Sequence, residues 1–182
     1  KYTIKAERIG LSIKISVDLE EPLPEAWANK VGFNLELFPG HYFGEHYFMD
    51  GKSGIFPRQA NGPMKIDKDS SFQISPMAIG KQLIIAPSSK EKEIRIVSTK
   101  NDLQLIDGRG LQNNGWFVVR STLAAGAVKN AVEWIITPKP NPDWKYTPVI
   151  QVSQIGYHPK QNKFAVIELD KMTEKFEQVR LL

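Results

Sequence analysis

Leu11-Ser12-Ile13-Lys14-Ile15-Ser16-Val17-Asp18-Leu19-Glu20 alternates apolar and polar side chains without a break. A strand with one buried and one wet face requires that period of two, whereas an amphipathic helix needs apolar residues three and four apart. Gly10 precedes the run, and Tyr2 to Ile9 is placed to pair with it as a hairpin. The same alternation returns at Val31, Phe33, Leu35 and Leu37, at Ile94 and Ile96, and at Leu103 and Leu105. It returns again at Trp116 and Val118, and at Val132, Trp134 and Ile136. This parity puts Trp116 and Trp134 in a core. Turn chemistry separates the strands at Glu21-Pro22-Leu23-Pro24, Pro39-Gly40, Asp50-Gly51, Asn61-Gly62-Pro63, Asp107-Gly108 and Asn113-Asn114-Gly115. Only Pro24 to Lys30 and Thr122 to Lys129 have helical character, about two turns each. The fold class is therefore all-β, and many short strands with turns between them predict a β-sandwich.

Residues 1–137 form the expected sandwich. Thr137-Pro138-Lys139-Pro140-Asn141-Pro142-Asp143 then sets three prolines at alternate positions, which removes backbone donors and stiffens the chain. Residues 138–148 read as a linker, and 149–182 as a second β unit with strand candidates at Val149 to Ile155, Lys163 to Leu169 and Lys175 to Leu182. About seven strands and about 100 residues make a full sandwich, so 149–182 reads as the start of one. On that reading Leu182 is a cut within a domain, and Lys1 in place of Met marks a processed or cut start.

The chain has 182 residues, 41% of them hydrophobic, and a formal charge of +4 from 24 basic and 20 acidic residues. That hydrophobic share supports at least one substantial core. The two signs of charge alternate, as in Lys90-Glu91-Lys92-Glu93-Ile94-Arg95, and a basic face with interleaved aromatics is missing, which argues against nucleic acid as a partner. No run approaches the about eighteen apolar residues of a membrane span, so no membrane insertion is expected of this segment. Without cysteine there are no disulfides or thiolate metal sites, and compartment is left open.

Five groupings of side chains carry functional chemistry in principle. Glu36, Glu45 and Asp50 are the nearest grouping of acids, but no paired arrangement is legible, and no catalytic residue is assigned. His41, His46 and His158 lack metal-ligand spacing, so no metal or other cofactor is expected. Asp67-Lys68-Asp69-Ser70-Ser71 is oxygen-rich but lacks the Gly and terminal Glu of a calcium loop, and reads as a turn. Gly108-Arg109-Gly110 lacks the further glycine and helix start of a phosphate loop. Carbohydrate binding has more support, because sugar rings stack on exposed Tyr and Trp while polar side chains bond the hydroxyls. His41-Tyr42-Phe43-Gly44-Glu45-His46-Tyr47-Phe48 carries four aromatics in eight residues. Trp27, Tyr42 and Tyr47 are the candidate stacking residues, with Arg58, Gln59 and Asn61 as hydrogen-bonding partners. Filling the end of the sandwich is the favoured use of the same rings. Two or more of Trp27, Tyr42 and Tyr47 exposed on one groove would reverse that preference.

Val149-Ile150-Gln151-Val152-Ser153-Gln154-Ile155-Gly156-Tyr157-His158-Pro159, followed by Lys163-Phe164-Ala165-Val166, resembles the opening of the immunoglobulin-like domain that precedes family 9 glycoside hydrolase (cellulase-type) catalytic modules. The usual Asn before the Gln is Ser153 here. Val31-Gly32-Phe33-Asn34-Leu35-Glu36-Leu37-Phe38-Pro39, Gly54 to Pro63 and Asn114 to Ser121 are similar to the β-rich region found ahead of that domain in some gut-bacterial members. The resemblance implies a non-catalytic N-terminal module of a polysaccharide-degrading, endoglucanase-like enzyme that supports and orients a downstream catalytic module. It also implies a secreted, periplasmic or cell-surface location, and β-glucan polysaccharide as a possible partner. Its alternative is a carbohydrate-binding module that recognises β-glucan-type glycans through the aromatic loop. The family's catalytic residues lie outside this chain.

Overall fold

The computed structural model describes residues 1–110 and 115–173. The chain divides into two compact units, Lys1–Pro140 and Asn141–Leu182. The division falls within the stretch read as linker.

The first unit contains β1 (Tyr2–Ile9), β2 (Ser12–Leu19), β3 (Gly32–Leu37), the one-turn helix α1 (Pro39–Tyr42), β4 (His46–Met49), β5 (Lys52–Ile55), β6 (Met64–Ile66) and β7 (Phe72–Ile74). It continues through β8 (Ala78–Gly80), β9 (Gln82–Ile85), β10 (Ile94–Ser98), β11 (Leu103–Asp107), β12 (Phe117–Thr122) and β13 (Val132–Pro138). A seven-stranded sheet in the order β1-β2-β13-β10-β9-β4-β5 faces a four-stranded sheet in the order β3-β12-β11-β8. The result is an all-β sandwich, antiparallel at each strand pairing.

The opening hairpin forms in full register, from Ile9 opposite Ser12 to Tyr2 opposite Leu19. Gly10 turns it with a φ of 60°, a conformation that costs a residue with a Cβ. Between the sheets, Trp134, Phe56, Phe117, Leu83, Ile85, Ile96, Leu103, Leu105 and Val119 are all but sealed from solvent. The Trp134 indole Nε1–H donates to Ser121 Oγ at 2.9 Å, which ties β13 to β12 across the layers and satisfies a polar group that would otherwise be stranded in the core. Phe33 meets Trp134 edge-on at 4.9 Å. Burying side chains of this size contributes roughly 1.5–3 kcal/mol each.

Three readings are corrected. Thr122 to Lys129 is not helical. Its backbone bonds across to Leu23, with Gly126 N–H to Leu23 O at 2.9 Å and Leu23 N–H to Ala127 O at 3.2 Å, and Gly126 sits at φ +72°. Pro24 to Lys30 shrinks to a single 3-10 turn over Glu25–Trp27. Trp116 lies just ahead of β12 and is 37% exposed, while Trp134 is fully buried. On β12 it is Phe117 and Val119 that point between the sheets. Val118, on the other parity, is buried on the outer side, where it lines a recess shared with the β6–β7 hairpin.

In the second unit β14 (Val149–Val152) and β15 (Ala165–Glu168) pair as an antiparallel hairpin. Gly156 turns the chain at φ +87°. The Tyr157 hydroxyl accepts from Ser153 N–H at 3.2 Å and donates to the Phe164 carbonyl, joining the end of β14 to the approach to β15. Asp170 accepts from the N–H groups of Met172 at 2.7 Å and Tyr146 at 3.1 Å. Both bonds hold its carboxyl below the ordinary aspartate range, the one from Met172 first. Ile150, Ile167, Val152 and Ala165 share one face by register, and Ile150 and Val152 are exposed. The strand candidate Lys175 to Leu182 lies outside the described residues.

Candidate functional site

The two tyrosines of the aromatic segment do not face solvent. Tyr42 on α1 and Tyr47 on β4 are both buried, and their rings lie 5.6 and 5.3 Å from that of Phe56. Phe56 in turn meets Phe117 at 4.9 Å. Burial raises the pKa of both phenols. Strand parity explains Tyr47, since Tyr47 and Met49 alternate inward along β4 while His46 faces out. A side chain at Gly54 would collide with the Tyr47 ring. Trp27 is 60% exposed, on the 3-10 turn that leads to β3, and is the one member of the predicted stacking set that solvent reaches. The shared groove of Trp27, Tyr42 and Tyr47 therefore does not form, because two of its three rings complete the core.

Arg58, Gln59 and Asn61 are exposed, on a segment held down through its main chain. The Arg109 guanidinium donates to the carbonyls of Pro57 at 2.7 Å, Arg58 at 2.8 Å and Gln59 at 2.9 Å. It also grips Asp107 with two 2.8 Å bonds and lies over the Phe117 ring at 4.5 Å. This two-pronged pairing uses the fixed fork of the guanidinium, which lysine lacks. Gly108-Arg109-Gly110 is thus the clasp of this loop.

Two of the three grouped acids are occupied. Glu45 pairs with Lys92 Nζ at 2.8 Å. Asp50 accepts from the backbone of Lys81 at 3.0 Å and Gln82 at 2.8 Å, fixing the turn from β8 to β9. Glu36 is exposed on β3. Asp67 Oδ1 accepts from Asp69 and Ser71 N–H groups, each at 2.9 Å, an Asx-type turn. Among the described residues no three His, Asp or Glu side chains converge as metal ligands.

A cleft of about 740 Å³ lies where the sandwich is open at one side. The seven-stranded sheet ends in β1 and the four-stranded sheet in β3, and the cleft runs between those two edges. Val17, Leu123 and Val132 line it and belong to the buried core, so they form its floor. Tyr2, Ile4, Leu23, Trp27 and Phe33 line it as well, and of these Tyr2, Ile4 and Trp27 are the most exposed. Lys1, Glu21 and Asn34 supply its polar groups. Such a lining binds apolar side chains or ring faces and offers no general acid or base. Of the cleft, sequence reasoning found only Trp27. Tyr2 and Ile4 were legible in principle, since full register on β2 places them opposite Leu19 and Val17 on the inward parity.

No family model, curated protein or solved structure matches the chain.

Proposed function

We propose that this chain is a non-catalytic accessory module of a polysaccharide-degrading glycoside hydrolase, endoglucanase-like, which supports and orients a catalytic module in the same protein. The observation that carries the reading is the cleft between β1 and β3. It exposes Tyr2, Ile4 and Trp27 beside an apolar floor, the kind of surface that marks a protein contact. Among the described residues the two sheet edges beside it, β1 and β3, have no strand on their outer side, and such edges invite pairing or cover. The turn around Gly156 and Tyr157, which joins β14 to β15, gives the family its support, through the resemblance of its sequence. The acids considered for catalysis are engaged in holding loops, apart from the exposed Glu36, and this favours a role without bond cleavage.

Calorimetry of the full-length protein tests the reading. Ile4→Glu should leave the 182-residue chain folded but separate its unfolding from that of the catalytic module, with a lower transition for the whole. Unchanged unfolding and unchanged polysaccharide hydrolysis after deletion of residues 1–140 would defeat it. So would release of reducing sugar from soluble β-glucan by the 182-residue chain, abolished by Glu36→Gln.

A further inference from the structure

The outer face of the four-stranded sheet carries side chains that core packing does not use. Leu37 and Phe117 oppose each other and point into the core, so the neighbouring parity points out. Glu36 stands opposite Val118 and Asn34 opposite Arg120, and one step beyond Leu37 and Phe117 come Phe38 and Trp116. Their ring centroids lie 5.5 Å apart with planes inclined at 59°, and His41 meets Phe38 at 5.2 Å. Phe38 is 52% and Trp116 37% exposed. Arg120 donates through Nε to Asn34 Oδ1 at 2.8 Å, and Gln104 lies opposite Arg120 on β11. Beside this row a recess of about 260 Å³ is lined by Val118, Arg120, Phe72 and Gln73, which makes the β6–β7 hairpin a wall along the face.

We infer that this face, with Phe38 and Trp116 at one end and Glu36, Asn34 and Arg120 along it, is a binding site for a single uncharged polysaccharide chain. The ring pair and the hydrogen-bonding side chains beyond it cover a span of about 13 Å from position 116 to 120 at the strand rise, long enough to hold more than one sugar. Apolar sugar faces suit the rings, and hydroxyls suit the carboxylate, amide and guanidinium. The formal charges of Glu36 and Arg120 cancel, which matches a neutral polyhydroxylated ligand and disfavours nucleic acid or an acidic polymer. Rings inclined at 59° cannot both lie flat on one planar surface, so the site takes a free, twisted chain and not a crystalline sheet. The choice of β-glucan as the polymer rests on the accessory-module reading; the position of the site does not.

Affinity electrophoresis of the 182-residue chain in gels containing xyloglucan or mixed-linkage β-glucan tests the inference, alongside a pull-down on crystalline cellulose. Wild type should be retarded by at least one soluble glucan and left in the supernatant over crystalline cellulose. Trp116→Ala and Phe38→Ala should each weaken retardation about tenfold, as loss of one stacking contact predicts, with thermal unfolding showing that both still fold. Glu7→Gln, on the exposed strand β1, should be retarded like wild type. Absence of retardation on both glucans, equal retardation of wild type and Trp116→Ala, or strong binding to crystalline cellulose would each overturn the inference. None of these outcomes decides the accessory-module reading, which is judged by the full-length calorimetry.

Discussion

Phe38 and Tyr42 stand four residues apart and have opposite fates. Tyr42 sits with Tyr47, Phe56 and Phe117 in a chain of ring contacts between the sheets, while Phe38 meets Trp116 on the outer face with half its surface in water. The segment densest in aromatics supplies core, and a sparser pair, brought together from positions 38 and 116, supplies the exposed surface. Density of rings in sequence therefore says little about binding. What decides is which parity of a strand faces the partner sheet, and a one-residue shift reverses it.

The largest effect should come from breaking the inner set. Phe56→Ala removes a fully buried ring that touches Tyr42, Tyr47 and Phe117, and a Phe→Ala change in a core costs about 3–5 kcal/mol. Urea unfolding should show that loss, whereas Trp116→Ala should stay within about 1 kcal/mol of wild type. Similar losses for the two variants would mean that Trp116 belongs to the core after all.

Next comes the clasp beneath the Arg58 loop. Asp107 is 1% exposed as a side chain and Arg109 11%, so Arg109→Leu leaves a buried carboxylate without its partner, a change that costs about 3 kcal/mol or more. Arg109→Lys should recover only part of this, since one ammonium cannot serve Asp107 and three carbonyls in the same planar fork. Full recovery by lysine, read from the urea midpoint, would show that charge alone holds the loop.

These two sites also show what sequence could reach. The period of two was legible in the Trp134 strand and in Leu11 to Leu19, where Ile15, Val17 and Leu19 reach the core while Leu11 and Ile13 stay exposed beyond it. The strands at His46–Met49, Lys52–Ile55, Ala78–Gly80 and Gln82–Ile85 were not, being three or four residues long and too short to display a period. Arg109 looked like a failed phosphate loop because its partners, Pro57 to Gln59, are some fifty positions away. The alternation of Trp116 with the apolar Val118 points Trp116 inward, yet Val118 is buried on the outer parity and lines the recess shared with the β6–β7 hairpin. A buried residue marks a core side only where the other side of its sheet is bare.

A smaller, pH-dependent effect should arise at Asp18, on the outer side of the opening hairpin. Its carboxylate accepts from Asn130 N–H at 2.8 Å and from Lys5 Nζ at 2.9 Å, and these two bonds, the Asn130 one first, bring its pKa from 3.8 down to about 2. A carboxyl more acidic when folded than when unfolded adds stability that is complete above its unfolded pKa and disappears as pH falls through the folded value. Stability should therefore fall between about pH 4 and pH 2. Glu93 and Glu133 act in the same direction, lowered chiefly by hydrogen bonds from Lys139 and Lys14 respectively. Asp18→Asn should be less stable at neutral pH and lose less on acidification. An unchanged acid limb in urea midpoints would show that the ion pair is open in solution.

The smallest effect is expected at Trp27, and it sharpens the comparison because this ring belongs to neither set. It lies on the wall of the cleft, 60% exposed, and its local bonds are made by the main chain, Trp27 N–H to Pro24 O at 3.0 Å and Lys30 N–H to Trp27 O at 3.1 Å. Alanine keeps both. Trp27→Ala should therefore move the stability of the 182-residue chain by no more than about 0.5 kcal/mol, as surface substitutions do, with the urea m-value unchanged because the buried surface is the same. An effect of this size would fit the proposed use of the cleft, in which the ring serves a contact outside its own sandwich. A loss above about 2 kcal/mol, with a lower m-value, would instead place Trp27 in the core and make the cleft a packing gap that this ring closes.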